Sequence, residues 1–261
     1  MPNKSVMIVP NYISKDSENE AWVTSSKPTE ILATYPDSIL IVVINGNIDL
    51  LDKNKLNYAR SDRFIIISSS SGLKNALEFG YKYAISNSWD LPIVRFDTTE
   101  HPWELSHPMA MFAQETFSTV CCDLIFPQEL GLMPKHELLS DLRYRKLVQK
   151  VTKGKLNVGE AHGFIALCSK HINNIIYRAS IIIETAENIN NLDSGSIQWG
   201  FDLAILLASQ SLELNVIRIE NNGTLERNRP QEKCDDQYNK AKIICGAASQ
   251  LYPNLFTTPE K

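Results

Sequence analysis

Short apolar runs alternate with segments of helical period along the first hundred residues of the chain. The runs are rich in β-branched residues and have the length of buried strands, which predicts strands at residues 6–9, 39–44, 64–67 and 91–96. Residues 73–86 instead place their apolar side chains on one helical face, and residues 21–33 form a helical or irregular stretch. This alternation predicts a mostly parallel sheet with helices on both faces and right-handed crossovers.

The second half of the chain contains the same kinds of segment in a less regular order. Helices are predicted at residues 102–117, 137–151, 198–211 and 238–252 and from residue 170, and strands at 119–126, 163–168 and 216–219. Residues 221–236 are polar and have no clear period. Because the chain has neither an internal repeat nor a linker-like tract, it is predicted to fold as one α/β domain.

The net charge of the chain argues against two classes of binding partner. A net charge of −4 over 261 residues argues against nucleic acid or an anionic membrane, because partners held by bulk charge require a basic patch. A single nucleotide is not excluded, since it needs only a local site.

Cysteine usage and hydropathy indicate the compartment. The five cysteines include an adjacent pair and no CxxC motif, which argues against a disulfide framework or a structural zinc site and for reduced thiols. No apolar stretch approaches the roughly 20 residues of a membrane-spanning helix. The first apolar run is also too short for a signal sequence. These features predict a soluble, cytoplasmic protein without a transmembrane segment.

Polar residues and glycines follow the predicted strands of the first half. Ligands of open parallel sheets bind beyond the carboxyl ends of the strands, so these residues are the first candidates for a site. They are Pro10, Asn11 and Tyr12 after the first strand, Asn45 and Gly46 after the second, Gly72, Lys74 and Asn75 after the third, and Asp97, Thr98, Thr99, Glu100 and His101 after the fourth.

The end of the fourth strand carries the strongest chemical signal. Two carboxylates and an imidazole (Asp97, Glu100 and His101) occur within five residues. Mg²⁺ or Mn²⁺ commonly joins such carboxylates to a diphosphate. The alternative is that Asp97, Thr98 or Thr99 caps the helix predicted to begin at Pro102.

Two predicted helix starts offer further candidates, each with a structural alternative. Gly72 opens a helix whose free N–H groups and Lys74 favour an anion, although a simple cap with a solvent-exposed lysine fits equally well. Asp202 lies in a predicted first turn, where the helix dipole stabilises a carboxylate without any function. His162 precedes Gly163, and a lone histidine is more often structural.

In chain order, these segments resemble the nucleotide-sugar glycosyltransferases of GT-A fold over about residues 5–220. The resembling segments are 9–12 (VPNY) at the end of strand one, 45–47 (NGN) after strand two, 72–77 (GLKNAL) at a helix start, 93–99 (IVRFDTT) in the place of the DxD motif, 162–167 (HGFIAL) on the acceptor side and 199–202 (WGFD) at the acceptor helix. Within the group, the chain is most similar to mannosylglycerate-synthase-type and family 2-type enzymes.

The resemblance implies a fold, a reaction and a set of site residues. The fold would be a single GT-A domain with a nucleotide-binding half (1–101), an acceptor half (102–220) and a polar loop with a C-terminal helix (221–261). The reaction would move a sugar from a UDP- or GDP-sugar to a polar or saccharide hydroxyl, assisted by Mn²⁺ or Mg²⁺. The implied metal ligands are Asp97, Glu100 and His101, and Asp202 would be catalytic, with His162, Gly163 and Trp199 on the acceptor side. The implied donor-binding residues are Pro10, Asn11, Tyr12, Asn45, Gly46, Gly72, Lys74, Asn75, Arg95, Asp97, Thr98 and Thr99.

The sequence departs from the family pattern at the metal site. The DxD motif is replaced by Asp97-Thr98-Thr99, and no histidine occurs in residues 220–223. A non-catalytic GT-A-like protein that binds a nucleotide or a sugar is therefore the alternative. A sugar-1-phosphate nucleotidyltransferase is disfavoured because residues 10–14 are not a glycine-rich basic loop, and a Rossmann oxidoreductase because no GxGxxG follows strand one.

Overall fold

The computed structural model describes residues 4–13, 22–46, 62–69, 72–87, 89–97, 102–126, 131–160, 162–193, 195–197, 200–222 and 228–259. The strands are β1 (Val6–Ile13), β2 (Ile39–Gly46), β3 (Phe64–Ser69), β4 (Ile93–Arg95), β5 (Thr119–Ile125), β6 (Phe164–Leu167) and β7 (Val216–Asn222). The helices are α1 (Lys27–Thr34), α2 (Leu73–Ser86), α3 (Ser106–Thr116), α4 (Lys135–Val151), α5 (Ile172–Ile189), α6 (Phe201–Ser211) and α7 (Gln231–Leu251). The strand order in the sheet is β3-β2-β1-β4-β6-β5-β7.

The chain divides into two compact units. The first unit comprises Met1–Ser118 and Ala166–Asn173, and the second comprises Thr119–Ile165 and Asn174–Lys261. The predicted halves, with limits at residues 101 and 220, stay a prediction.

The first unit is built on parallel pairing of its strands. β1 pairs with β2 along its whole length and with β4 along its first three residues, and β2 pairs with β3. The run Leu40–Ile44 is fully buried, as expected for a strand covered on both faces. Helix α2 packs closely on this sheet at Gly80, where a Cβ would press on the side chains of Ile8 and Val43.

β1 is longer than predicted, because it continues through Pro10 to Ile13. The expectation that Pro10 ends the strand is wrong for a physical reason. The last hydrogen bond from the β4 side is donated by the Phe96 N–H to the Ile8 carbonyl (3.2 Å). Among the described residues, Pro10 therefore has β2 as its one neighbouring strand, a position that tolerates a residue without an N–H.

Several other elements differ from the prediction at their ends. β2, β3 and β7 extend further into polar residues, and β4 is shorter than the predicted 91–96. α6 begins at Phe201, because Gly200 at its N-cap has φ +109°. α7 begins at Gln231, after Pro230, and so starts earlier than predicted. The sequence showed no helical period there because the first two turns of this helix are largely exposed and polar.

The second unit encloses the most hydrophobic helix of the protein among those described. β5 and β7 pair in parallel from Thr119↔Val216 to Ile125↔Asn222. Every residue of α6 except Asp202 is buried. Across both units all five cysteines are free and buried, which confirms the expectation that they form no disulfides. None of the described helices is both long and apolar enough to cross a membrane.

We predict that Gly46→Ala destabilises the protein by about 2 kcal/mol or more. Gly46 has φ +126°, and a Cβ there would collide with the backbone carbonyl of Ile13, its partner in the β1–β2 register. Gly154→Ala is the matched control, because Gly154 also has a positive φ (+80°) but no heavy atom would lie within 4 Å of a Cβ at that position. Urea denaturation should show a clearly larger loss for Gly46→Ala, and equal losses would contradict the prediction.

Candidate functional site

The carboxyl end of β1 combines a fixed amide with an exposed aromatic ring. Asn11 is 5% exposed, and its Oδ1 accepts a hydrogen bond from the Val23 N–H (3.2 Å). Trp22, beside Val23, packs edge-on against Phe96 at the end of β4 (6.3 Å between ring centroids). Tyr12 is 65% exposed, so its ring is available to a ligand at this edge.

The end of β2 is tied to the start of α2. The Gly72 N–H donates to Oδ1 of the buried Asn45 (2.8 Å). Gly72 is the N-cap residue of α2 and has φ +108°, a conformation that favours glycine. Asn45 therefore places the α2 N-terminus, with its N–H groups, next to the carboxyl end of β2. Asn75 lies in the first turn of this helix and is partly exposed.

Lys74 is paired with a carboxylate of its own helix. Its Nζ lies 3.2 Å from Glu78 Oε2, and both side chains are mostly buried. Lys82 binds the same carboxylate at 2.6 Å. Because Glu78 is shared by two lysines, the Lys74 charge is only partly balanced. The backbone amides of α2 add a further attraction for an anion at this end of the helix.

After β4, the structure describes the chain as far as Asp97. Arg95 is 2% exposed within β4, so it is a buried residue of the strand. Asp97 is partly exposed directly after Phe96. Thr98, Thr99, Glu100 and His101 lie outside the described residues, and so does Trp199. Within the described part of the chain, no group of three or more His, Cys, Asp or Glu side chains is suited to a metal.

In the second unit, Asp202 lies in the first turn of α6. The preceding Gly200 allows Ile244 to pack against the start of the helix, since a Cβ at Gly200 would collide with that side chain. Asp202 also acts on Tyr144. Burial raises the pKa of Tyr144 well above its ordinary value, and the carboxylates of Glu160 and Asp202 raise it further. Tyr144 therefore remains protonated.

His162 lies beside Tyr144 with its orientation fixed. The two ring centroids are 5.7 Å apart, and His162 is 4% exposed. Its Nδ1 lies 2.5 Å from the Gly159 carbonyl oxygen, so Nδ1 carries the proton and donates it. Nε2 is buried and has no hydrogen-bond partner within the described residues. A neutral His162 thus offers a buried acceptor lone pair. Gly163, which follows it, is partly exposed.

A buried ion cluster, which the sequence did not reveal, holds the segment that orients His162. Asp123 on β5 is fully buried and binds Arg145 of α4 (2.5 Å) and Arg218 of β7 (2.8 Å). It also accepts the Gly159 N–H (3.1 Å). Gly159 is thereby held through its N–H while its carbonyl binds His162. A Cβ at Gly159 would collide with Arg145 and Asp141.

A second cluster fastens the residues before α7. Arg229 donates to the buried carboxylates of Glu137 (2.7 Å) and Glu160 (2.5 Å). Burial opposes the charge of Arg229, but Glu160 and Glu137 outweigh it and raise the pKa of the guanidinium. His136 Nε2 donates to the Arg229 carbonyl (2.7 Å). These partners are 69 to 93 residues apart in sequence, so no local pattern marked them.

Comparison with known proteins places the fold. The sequence matches no protein-family model and no curated protein significantly. Mannosyl-3-phosphoglycerate synthase from Rubrobacter xylanophilus superposes with a TM-score of 0.56 at 13% identity, covering 98% of this chain and 77% of that one. S. aureus TarS (residues 1–349) in complex with UDP gives 0.49 at 14% identity, covering 92% and 64%. A Desulfovibrio desulfuricans protein described as a nucleotide-diphospho-sugar transferase gives 0.48 at 9%, covering 86% and 83%.

The strand order and the likeness to the Rubrobacter enzyme show that the chain has a GT-A-like fold with a mostly parallel seven-stranded sheet. The fold predicted from the sequence is confirmed. At 13% identity, the likeness concerns the fold alone, and the roles of the individual site residues stay predictions.

We predict that neutral His162 carries its proton on Nδ1. Long-range ¹⁵N–¹H NMR of the neutral imidazole should show an unprotonated Nε2 for this residue. His136 is an internal control that should show the opposite tautomer, with its proton on Nε2, because that atom donates to the Arg229 carbonyl. An Nε2–H tautomer at His162 would contradict the assignment.

Proposed function

We propose that this chain is a glycosyltransferase that moves a sugar from a nucleoside-diphosphate sugar to a polar hydroxyl acceptor. The observation that carries the proposal is a GT-A-like fold whose carboxyl strand ends bear Tyr12, Asn45 and Asp97. In open α/β sheets, this is the edge at which nucleotides bind. The resemblance found in the sequence supports the same reaction.

The first unit is proposed to bind the donor. The exposed Tyr12 ring supplies a flat surface for the base, while Pro10 and Asn11 shape the strand end beside it. Asn45, Gly46 and Gly72 position the N-terminus of α2, whose N–H groups attract the diphosphate. Lys74 and Arg95 add to the positive potential, although Lys74 is partly balanced by Glu78.

A divalent cation is proposed at the end of β4. Asp97 fits such an ion, because it is a partly exposed carboxylate and supplies the hard oxygen ligand that Mg²⁺ and Mn²⁺ prefer. Glu100 and His101 are the other proposed ligands, with Thr98 and Thr99 beside the donor. When bound, the cation would supply positive charge against the leaving diphosphate.

Asp202 is proposed to act on the acceptor. In an inverting reaction, the acceptor oxygen bonds to the anomeric carbon while the bond from that carbon to the diphosphate oxygen breaks. The hydroxyl proton passes to the Asp202 carboxylate, and the electron pair of the broken bond leaves with the nucleoside diphosphate. In a retaining reaction Asp202 would only orient the hydroxyl. His162, Gly163 and Trp199 are proposed to line the acceptor side.

A non-catalytic nucleotide- or sugar-binding protein is the second candidate. The altered DxD motif favours it, because the motif lacks its second carboxylate, which would help to hold a cation on the leaving diphosphate. Binding without turnover of any donor would identify this function.

We predict that one nucleoside diphosphate, tested among UDP, GDP and CDP, raises the melting temperature by about 5 °C at saturation, and only with Mn²⁺ or Mg²⁺. Asp97→Asn should abolish the metal-dependent part of the shift, because it removes the charged ligand. Asp37→Asn is the control, since Asp37 is exposed and precedes β2 at its other end. If no nucleotide changes the melting temperature with or without metal, the donor site is wrong.

We predict that Asp202→Asn lowers kcat for sugar transfer by about 10²–10⁴-fold, because the amide cannot accept the hydroxyl proton. The nucleotide-induced rise in melting temperature should remain. Asp236→Asn, at an exposed position on α7, should leave turnover unchanged. A fully active Asp202→Asn enzyme would show that Asp202 is not the base.

A further inference from the structure

A cleft opens at the amino ends of the strands of the first unit, opposite the proposed donor edge. Its volume is about 240 Å³, and Val6 and Ile93, the first residues of β1 and β4, lie in its wall. We call it the amino-edge cleft. β1 has eight residues, which at about 3.3 Å per residue separates the cleft from the proposed donor edge by about 25 Å. The two sites are therefore distinct.

The floor of the amino-edge cleft is apolar. It is formed by the buried side chains of Val6, Ala84, Ile93 and Ile172. Trp89 is half-buried beside this floor, and its indole ring packs edge-on against Tyr83 (6.3 Å between centroids). Trp89 therefore contributes an aromatic ring to the lining of the cleft.

The rim carries polar groups that the described residues leave unused. Asp90 and Asn173 are exposed at the cleft. Neither side chain makes a hydrogen bond or ion pair with any other described residue, and the same holds for the Trp89 indole N–H. The rim thus offers an N–H donor, an acceptor-only carboxylate and an amide that both donates and accepts.

The walls of the cleft are already fixed. The Val6 N–H donates to the Pro92 carbonyl (2.9 Å) beside the cleft. Gln114 binds Ser169 twice, through its amide oxygen to the Ser169 N–H (2.8 Å) and through its amide nitrogen to the hydroxyl (3.1 Å). A ligand would therefore meet a largely preformed site.

We propose that the amino-edge cleft binds a neutral saccharide. A sugar ring has an apolar face of C–H groups, which suits the Trp89 ring and the apolar floor, and hydroxyls that both donate and accept, which suit the rim. The Asp90 carboxylate disfavours phosphorylated or nucleotide ligands, and no lysine or arginine lines the described cleft. The cleft would hold a glycan away from the donor edge, and it does not depend on the proposed reaction.

The test is a titration of ¹⁵N-labelled protein with glucose, mannose, galactose and N-acetylglucosamine, with glucose 1-phosphate as the anionic comparison. The Trp89 indole cross-peak, assigned by its loss in Trp89→Phe, is the readout. At least one neutral sugar should shift it saturably with a dissociation constant in the low-millimolar range. Asp90→Asn should weaken this affinity about tenfold, and Asp62→Asn, at an exposed position before β3, should not.

Three results would overturn the proposal. The first is the absence of any saturable shift of the Trp89 cross-peak with all four sugars while the spectrum remains that of the folded protein. The second is equal binding of glucose 1-phosphate, and the third is unchanged binding of the neutral sugar by Asp90→Asn. Because the readout is local to Trp89, nucleotide binding at the carboxyl edge can succeed or fail without affecting any of these outcomes.

Discussion

The unequal pairing of β1 is the constraint on which the carboxyl edge depends. β1 remains hydrogen-bonded to β2 as far as Ile13, whereas β4 pairs with it only as far as Ile8. Among the described residues, the last residues of β1 therefore pair with a strand on one side only, and Val23 binds Asn11 in this region. Pro10 fits this arrangement because it has no N–H to pair, and Gly46 fits it because any side chain would collide with the Ile13 carbonyl.

In the second unit, buried charges have a corresponding positioning role. Asp123 is completely buried yet receives bonds from two arginines and a backbone N–H. Removing one partner of such a cluster typically costs about 3–5 kcal/mol, because the remaining charges stay buried. The cluster thereby fixes Gly159, whose carbonyl sets the tautomer of His162. The orientation of a single imidazole thus depends on contacts drawn from α4, β5 and β7.

The sequence was sufficient to predict the elements that depend on local patterns of hydrophobic and polar residues. Hydrophobic period located α2 at its observed limits, and the rule that ligands meet the carboxyl strand ends placed Asn45 and Asp97 at one edge of the sheet. The ends of the strands were less well predicted. Pro10 and Asn45 are residues that usually end a strand, but pairing between β1 and β2 keeps both of them in their strands. The i,i+4 spacing of Lys74 and Glu78 in α2 is itself a local pattern that favours their ion pair.

Local sequence patterns do not reveal contacts between residues that are far apart in the chain. Asp123 and Arg218 are 95 residues apart, and only folding brings them together. The amino-edge cleft was not predicted for the same reason, since Asn173 is far along the chain from the adjacent residues Trp89 and Asp90. Neither the ion cluster nor the cleft coincides with a sequence motif or with the carboxyl end of a strand of the first unit.

The most direct test of the central claim is hydrogen–deuterium exchange of the whole chain with and without a saturating nucleoside-diphosphate sugar and Mn²⁺. We expect slower exchange at residues 11–13, 44–46 and 72–76, where β1, β2 and the start of α2 meet the donor, with no change at the amino ends of the same strands. Unchanged exchange in these three segments, for a donor whose binding is established independently, would contradict the claim that the donor binds at this edge.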